Sequence, residues 1–378
     1  MKEEDIVIVG GGPAGAYLAY LLAKDGIEVT IFDDSHPREK PCGGGISPKA
    51  LEKFPILGHV PYSKRIVTSV ILISPKNCEI TLTKKTSCMN VSRMHLDKYL
   101  LDKAIDEGAN LIEERVTDAK QKNVKWILKT NKRTLKTKVV IGADGTKSII
   151  RKKVVGDIPH EHLAICRGYF TKRIEEDYNL IKFLGKGRGY IWVFPREDHT
   201  SIGIGVDIRD SRNILHQLNE FIKLRYPYIS ILSQWGALIP QIESTDFYKI
   251  PCADKNWIII GDAAGHVDPV TGEGIFYALW SAKVAYEAII NENPKLFDKL
   301  WREEYGKDLI MGVKLSKLLH HPLFLEFSIK MASRSITYAK IIEDIITSQQ
   351  EYRTIIRRSI LDIPNIAFDL LKLNKDGN

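Results

Sequence analysis

Ile6–Val9 is an uninterrupted apolar run, the pattern of a strand buried on both faces. Gly10, Gly12 and Gly15 follow at G-x-G-x-x-G spacing, and Ala14 to Lys24 carries apolar side chains at helical spacing. Gly26 ends that run, and Glu28–Phe32 reads as a second strand closed by Asp33. The pattern predicts a complete βαβ unit of the dinucleotide-binding kind. Gly10 permits the tight turn, Gly12 lets backbone approach a pyrophosphate, and Gly15 lets helix and strand pack closely. The helix N-terminus offers unpaired N–H groups and partial positive charge to phosphates. Asp33 is placed to accept from a ribose 2′-hydroxyl, which argues against a 2′-phosphate there.

Further on, the pattern alternates between periods. The loop from His36 to Ser47 holds three consecutive glycines, Gly43–Gly45, and Pro48 to Phe54 reads as a short helix. Ile66 to Leu82 reads as a hairpin turning at Pro75-Lys76-Asn77. Arg93 to about Glu107 is a helix capped by Ser92, with Gly108 beyond its end. Short strands are expected across Val124–Val140 and Gly168–Asp207, a helix over Ile214–Leu224, and a further strand leading to Pro251. A buried strand at Trp257–Ile260 precedes a glycine-rich loop and a helix from about Ile275 to Ile290. Beyond Pro294 the chain reads as helix, broken near Pro322 and Pro364. Residues 1–60, 88–155 and 251–293 are therefore expected to form one discontinuous domain. Residues 61–87 and 156–250 are expected as an inserted, mostly antiparallel substrate domain, and 294–378 as a helical C-terminal region.

Composition narrows the class. The 378 residues are 44% hydrophobic and 27% charged, as in ordinary globular proteins. The net charge of +8 is spread along the chain rather than gathered, which gives no nucleic-acid signature. It fits an anionic membrane surface, an acidic electron carrier or a phosphorylated substrate, with a plain solvated surface as the competing reading. The five cysteines are scattered and show neither a disulfide framework nor metal-ligand spacing, so no metal is expected and a reducing cytoplasm is the default. The apolar start is preceded by Lys2-Glu3-Glu4-Asp5, the wrong flank for a signal peptide.

The candidate chemistry lies in the late loop. Gly261-Asp262 follows the Trp257–Ile260 strand, and the C-terminal edge of a parallel strand is where ligands bind in open α/β sheets. Asp262 can accept from sugar-chain hydroxyls. Pro269 and Gly272, Glu273 and Gly274 open the helix that begins at Ile275, whose N-terminus favours negative charge. Reduced flavin carries such charge on its ring, so the arrangement suits a flavin better than a nicotinamide. Glu273 reads as an acid of the helix N-terminus.

Four stretches together resemble the flavoprotein superfamily that contains p-hydroxybenzoate hydroxylase. They are GGGPAG at Gly10–Gly15, Arg93 with Asp97 and Leu100, GADGTKSIIR at Gly142–Arg151, and GDAAG…P…GEG at Gly261–Gly274. The resemblance implies FAD, held by the first and fourth stretches, with Arg93 at the phosphate and ribityl region and Asp144 beside the pyrophosphate. Pro37, Lys40 and Cys42-Gly43-Gly44-Gly45, then Tyr190, Trp192, Phe194 and Pro195 followed by Gly203-Ile204-Gly205, are similar to the geranylgeranyl reductase family. Members saturate isoprenoid double bonds, including those of archaeal membrane lipids.

The fold class implied is an α/β FAD-binding Rossmann-like domain with an inserted, mostly antiparallel β-sheet substrate domain and a helical C-terminal region. An alkene substrate needs a dry, apolar site. Tyr190, Trp192 and Phe194 alternate to one strand face and are read as a lipid-channel wall, with plain sheet core as the competing reading. Gly43, Gly44 and Gly45 are expected to bring their loop close to the flavin ring, with Cys42 over it; Cys42 is the candidate proton donor, with packing as its alternative. His266, in the fourth stretch, is a second candidate, against a structural histidine. No second nucleotide fingerprint is present, so the electrons come from a carrier such as ferredoxin or from NAD(P)H bound without one. The C-terminal helices, with Arg353, Arg357 and Arg358, either rest on a membrane or cover the core. The rival functions are reduction of a quinone's prenyl side chain, flavin monooxygenation, and electron transfer without substrate chemistry.

Overall fold

The computed structural model describes residues 3–347 and 350–373. Along the chain run β1 (Glu3–Val9), α1 (Pro13–Lys24), β2 (Thr30–Phe32), β3 (Gly45–Ile46), α2 (Pro48–Lys53), β4 (Lys64–Ile73) and β5 (Glu79–Val91). Then come α3 (Arg93–Asp106), β6 (Asn110–Ile112), β7 (Val116–Lys122), β8 (Lys125–Thr130), β9 (Thr134–Gly142) and α4 (Ile149–Val154). The middle holds β10 (Leu163–Thr171), β11 (Tyr178–Phe183), β12 (Gly189–Pro195), β13 (Thr200–Asp207), α5 (Ile214–Arg225) and β14 (Ile231–Pro240). The rest is β15 (Ala253–Asp254), β16 (Trp257–Ile259), α6 (Ile275–Ile290), α7 (Leu296–Trp301), α8 (Lys307–Leu319), α9 (Pro322–Ala332), α10 (Ile336–Thr347), α11 (Tyr352–Leu361) and α12 (Ile363–Leu373).

Two units form. The first comprises Met1–Lys40, Arg93–Leu163 and Ile239–Ile310. Its sheet runs β15-β16-β9-β1-β2-β6, with β7 and β8 attached beside β9. The pairs β16–β9, β9–β1, β1–β2 and β2–β6 are parallel. Val7, Ile8, Ile31, Ile141 and Ile258 are fully shielded, which explains why these strands read as unbroken apolar runs. Helix α1 packs against both α3 and α6, through buried side chains that include Leu18, Leu22, Leu100 and Leu279.

The second unit comprises Pro41–Ser92, Ala164–Leu238 and Met311–Asn378. Its sheet runs β14-β10-β13-β12-β11-β4-β5-β3; from β10 to β3 its pairs are antiparallel except where β11 meets β4. One face carries Ile71, Leu180, Ile191, Val193, Ile202 and Ile204 against Ile214, Leu218 and Phe221 of α5. On the other face Val70, Leu72, Ile80 and Leu82 meet Ile329, Ala332 and Ile342 of α9 and α10.

Several expectations are revised. Residues 41–60 fall in the second unit, because β3 pairs with β5. The C-terminal helices do not form a region of their own. Helix α7 belongs to the first unit, where Asp298 accepts from the Cys252 amide at 3.1 Å, whereas α9 and α10 cover the second sheet. The strand expected to reach Pro251 stops at Pro240, and a 3-10 turn over Thr245–Lys249 follows. The break expected near Pro364 is present at Asp362, between α11 and α12, and Pro364 itself lies in the first turn of α12, where its missing N–H costs nothing. The pairing of β7 with β8 was not anticipated, since VTDAKQK is polar on both faces. Among the described residues no helix is long and apolar enough to cross a membrane.

Candidate active site

The first unit builds a cradle at the C-terminal edge of its parallel strands. Gly10 ends β1 with φ of 103°, a left-handed conformation, and a side chain there would collide with the Ala143 backbone. A Cβ on Gly15 would strike the Gly10 carbonyl, so α1 is packed as tightly against the turn as the spacing predicts. Gly12, the N-cap of α1, differs from both: a Cβ there would meet nothing within 4 Å. The open side of Gly12 and the free N–H groups of the first helical turn, around Ala14, form the surface a pyrophosphate requires.

Asp33 stands at the end of β2. Its Oδ2 accepts from Gly11 N at 2.7 Å, its Oδ1 accepts from Ser35 N at 2.8 Å and from Ser35 Oγ, and His36 lies 3.6 Å away, beyond hydrogen-bond reach. Burial alone would raise its pKa, but the neighbouring His36 together with the Ser35 and Gly11 donors outweighs it and holds the carboxyl well below the usual range. The carboxylate is thus ionised and oriented.

The late loop meets the same cradle. Gly261 faces Ala14, at 3.1 Å from its Cβ position, and Asp262 lies 3.8 Å from Lys40 Nζ. The loop is held by Asp268, which the sequence reading passed over. Its Oδ1 accepts from the amides of Val270 and Thr271, and its backbone closes on Glu273 and Gly272. That closed turn, with Pro269 inside it, presents Gly274 as N-cap and Ile275 as the first residue of α6.

Arg93 and Asp144 are less free than the resemblance implied. Arg93 is buried and gives two hydrogen bonds to Asp97, at 2.7 and 2.8 Å. The Arg93 amide donates to Glu39, a second residue the sequence reading missed. Asp144 sits against Gly10, but its carboxylate caps α4, accepting from Ser148 Oγ and from Ile149 N at 2.6 Å. Burial raises its pKa against the pull of those donors.

His266 is placed away from any proton-transfer role. It is fully buried among Phe297, Trp301 and Tyr305, and its Nδ1 lies 3.0 Å from the Tyr305 hydroxyl. Burial, with the positive charges of Arg302 and Arg151, pushes its pKa down to about 3. A neutral imidazole enclosed by rings packs the loop and has no proton to give near neutral pH.

The second unit gathers the remaining candidates on one sheet face. Register places Tyr190, Trp192 and Phe194 opposite Gly205, Gly203 and Ser201, and these opposite Cys166, Gly168 and Phe170. The small residues make room for rings. Trp192 lies flat over Gly203, Trp235 lies over Gly168, and the two indoles stack with centroids 5.7 Å apart. Trp192 is 7% exposed, while Tyr190 and Phe194 are half-buried.

The Cys42 loop lies against this face. A Cβ on Gly43 would come within 2.7 Å of the Phe194 ring and one on Gly45 within 3.0 Å. Gly44 has φ of 75° and backs onto the Val91 carbonyl. The three glycines therefore bring the loop close to Phe194. Arg196 secures it, donating from Nη2 to the Cys42 carbonyl at 2.6 Å and from Nε to the Gly43 carbonyl at 3.2 Å. Ser201 Oγ donates to the same Cys42 carbonyl at 2.8 Å and accepts from Trp192 Nε1. The Gly44 amide points at Cys42 Sγ, 3.3 Å away. Cys166, on the same face, is inert: burial pushes its thiol up to about 12.

Comparison with known proteins gives the family. A family model described as FAD binding domain matches residues 3–204. The chain is 32% identical to geranylgeranyl diphosphate reductase of Rhodobacter capsulatus, over 75% of this chain and 74% of that one. It is 28% identical to digeranylgeranylglycerophospholipid reductase of Methanocaldococcus jannaschii, over 83% and 86%. The fold is that of a geranylgeranyl bacteriochlorophyll reductase-like protein from Thermoplasma acidophilum, with a TM-score of 0.81 at 21% identity, covering 99% of this chain and all of that one.

Proposed function

The chain belongs to the geranylgeranyl reductase family of FAD-dependent flavoproteins, and on that premise we propose that it saturates C=C bonds of prenyl chains carried on an archaeal-type glycerophospholipid. The observation that carries the reading is the sheet face on which Tyr190, Trp192 and Phe194 share one side with the pinned Cys42 loop. That face is aromatic and poor in free polar groups, as an isoprenoid demands.

The cradle residues fit the cofactor. Gly12 and the first turn of α1 would hold the pyrophosphate, Asp33 would orient the adenosine ribose, and Asp262 with the N-terminus of α6 would serve the ribityl chain and ring. FAD, once reduced, supplies the hydride. In this reading Cys42 Sγ–H delivers the proton to the other alkene carbon, and the thiolate recovers its proton from solvent between turnovers. Trp192 and Phe194 keep water from the reacting carbons and give the chain a flat wall to lie on.

Electrons enter from outside, from a ferredoxin-like carrier or from NAD(P)H. The substrate keeps the protein on the cytoplasmic side, in peripheral contact with a membrane. Anaerobic reduction of the FAD, followed by addition of a geranylgeranyl glycerophospholipid, tests the reading. The flavin should reoxidise and the lipid gain two hydrogens per bond. Reoxidation by oxygen alone, with a hydroxylated product, would identify a monooxygenase. No response to any prenyl lipid would leave electron transfer. A prenylated quinone reduced in preference to the phospholipid would select the quinone side-chain reading, which uses the same site.

A further inference from the structure

Helix α12 turns an apolar stripe outward. Ile363, Ala367 and Leu371 fall at four-residue spacing, with Pro364 and Phe368 beside them, and all five are exposed. Residues three and four apart are neighbours on a helix, so they form one strip. Ile360 and Leu361, at the end of α11, extend it. The large members of the strip are 59–68% exposed. Contiguous apolar surface of this kind marks an interaction site rather than scattered exposure.

The helix is docked, so the outward stripe is not a product of a loose tail. Asp369, on its opposite side, accepts from Ser335 Oγ at 2.7 Å and from Thr337 N at 3.0 Å, which ties α12 to the start of α10. Ile366 and Leu370 share that inner side and are half-buried. The apolar strip therefore faces solvent because the side of α12 that carries Asp369, Ile366 and Leu370 is the one held by the protein.

Charge selects the occupant. Within α11 and α12 the exposed charged residues are Arg353, Arg357 and Lys372, all basic, against one exposed acid, Glu351, at the N-cap of α11. The other two acids of this stretch are engaged, Asp369 as above and Asp362 in a pair with Arg358 at 3.4 Å. Arg334 and Lys340, exposed on and before α10, add to the same sign. We infer that α11 and α12 form a docking surface for an anionic lipid bilayer, with Ile360, Leu361, Ile363, Phe368 and Leu371 entering the interface and the arginines meeting headgroup phosphates. A basic rim around an apolar helix stripe is what an interfacial helix needs. A second copy of the chain fits poorly, since a two-fold contact would set these like-charged rims against each other.

The inference deepens the proposed lipid substrate but is tested apart from it. The FAD-loaded full chain is floated with vesicles of phosphatidylglycerol and phosphatidylcholine, or of phosphatidylcholine alone, none containing a prenyl chain. Binding is expected to the anionic vesicles, to weaken with salt, and to fall about tenfold or more in Phe368→Ser/Leu371→Ser and in Arg353→Glu/Arg357→Glu. Unchanged far-UV circular dichroism and an unchanged thermal unfolding curve show that each variant folds. Turnover of detergent-dispersed prenyl lipid should be unchanged in both, which separates loss of docking from loss of the active site. Failure of the wild type to float with anionic vesicles overturns the inference, as does equal flotation of the apolar variant. Sedimentation showing a dimer that Phe368→Ser/Leu371→Ser dissolves assigns the strip to a second copy and overturns it equally.

Discussion

Arg196 holds the loop of Cys42 by its backbone: Nη2 reaches the Cys42 carbonyl at 2.6 Å while Nε bonds the carbonyl of Gly43. The guanidinium is itself fully buried, lies over the Phe170 ring and touches His199 Nε2 at 2.8 Å. A planar fork is suited to two adjacent carbonyls in a way an ammonium is not.

Arg196→Lys keeps the charge but loses one of the two carbonyl bonds. A hydrogen bond from a charged group is worth about 1.5–3 kcal/mol. The variant should slow alkene reduction by roughly tenfold or more by that measure, with flavin reduction by the external donor unaffected. Faster alkylation of Cys42 by iodoacetamide should accompany the loss, because a released loop exposes the thiol. Unchanged alkylation together with unchanged turnover would show that Ser201 and Phe194 position the loop alone.

FAD loading tests the cradle. Gly12→Val places branched carbon where the structure leaves space beside the first turn of α1, and it should abolish FAD retention while the apoprotein still folds. Gly15→Ala acts differently, since its Cβ collides with the Gly10 carbonyl and no flexible side chain can give way. It should lower the unfolding temperature as well as FAD content. Absorbance after gel filtration, read beside thermal unfolding, distinguishes the two outcomes.

These glycines were legible because strand, turn and helix are local. So were α2, α5, α6 and the β4–β5 hairpin, whose turn residues and periodicities lie within one stretch of chain. Arg196, Trp235 and Asp268 were not found, because each acts on groups that only folding brings near. The one available signal was small residues alternating on strands: Gly203 and Gly205 on β13 and Gly168 on β10 mark where indole rings lie flat. The purpose of Gly43–Gly45 was half legible. Close approach was expected, yet the partner seen within that unit is the Phe194 ring. His266 was misleading because its motif position said nothing of the aromatic residues on and after α7 that enclose it.

Trp192→Ala separates channel from core. The side chain is buried under Trp235 and hydrogen-bonded to Ser201, so truncation should cost about 3–5 kcal/mol. FAD content should stay near normal, because the cradle belongs to the other unit. Prenyl turnover in the folded fraction should fall sharply. Turnover that simply tracks the folded fraction would mark the ring as core alone.

His266 gives a pH dependence with a definite sign. Its folded pKa, about 3, lies below the value of about 6.5 expected when unfolded. Between those values the unfolded chain binds a proton that the folded chain refuses, so stability falls as pH drops from about 6.5 towards 3 and is complete above that window. Asp33 acts at lower pH, since its carboxyl titrates well below the usual range. Asp144, whose carboxyl burial raises, gives a slope of opposite sign, so the histidine's share is read as the difference between wild type and variant in urea unfolding between about pH 4.5 and 6.5. His266→Phe, which suits the ring-lined box, should flatten the slope there. An unchanged slope would mean that other groups set it.

Cys42 carries the proposed chemistry, and its surroundings make Cys42→Ser an informative substitution. The loop is held through backbone carbonyls rather than through the side chain, so exchanging sulfur for oxygen leaves the Arg196 and Ser201 bonds intact. The Gly44 amide directed at Sγ can serve a hydroxyl equally well. What changes is acidity, since a serine hydroxyl is a much weaker acid than a thiol. General acids contribute about 10²–10⁴-fold to the steps they assist. If Sγ–H supplies the proton, single-turnover reoxidation of reduced flavin by a geranylgeranyl phospholipid should slow by that order under anaerobic conditions. Flavin reduction by the donor, which involves no alkene, should keep its rate. The remaining reaction should show a larger solvent isotope effect, because proton delivery then limits it. A few-fold loss without that isotope effect would reduce Cys42 to a packing residue. The proton would then have to come from bound water, since His266 is neutral and enclosed.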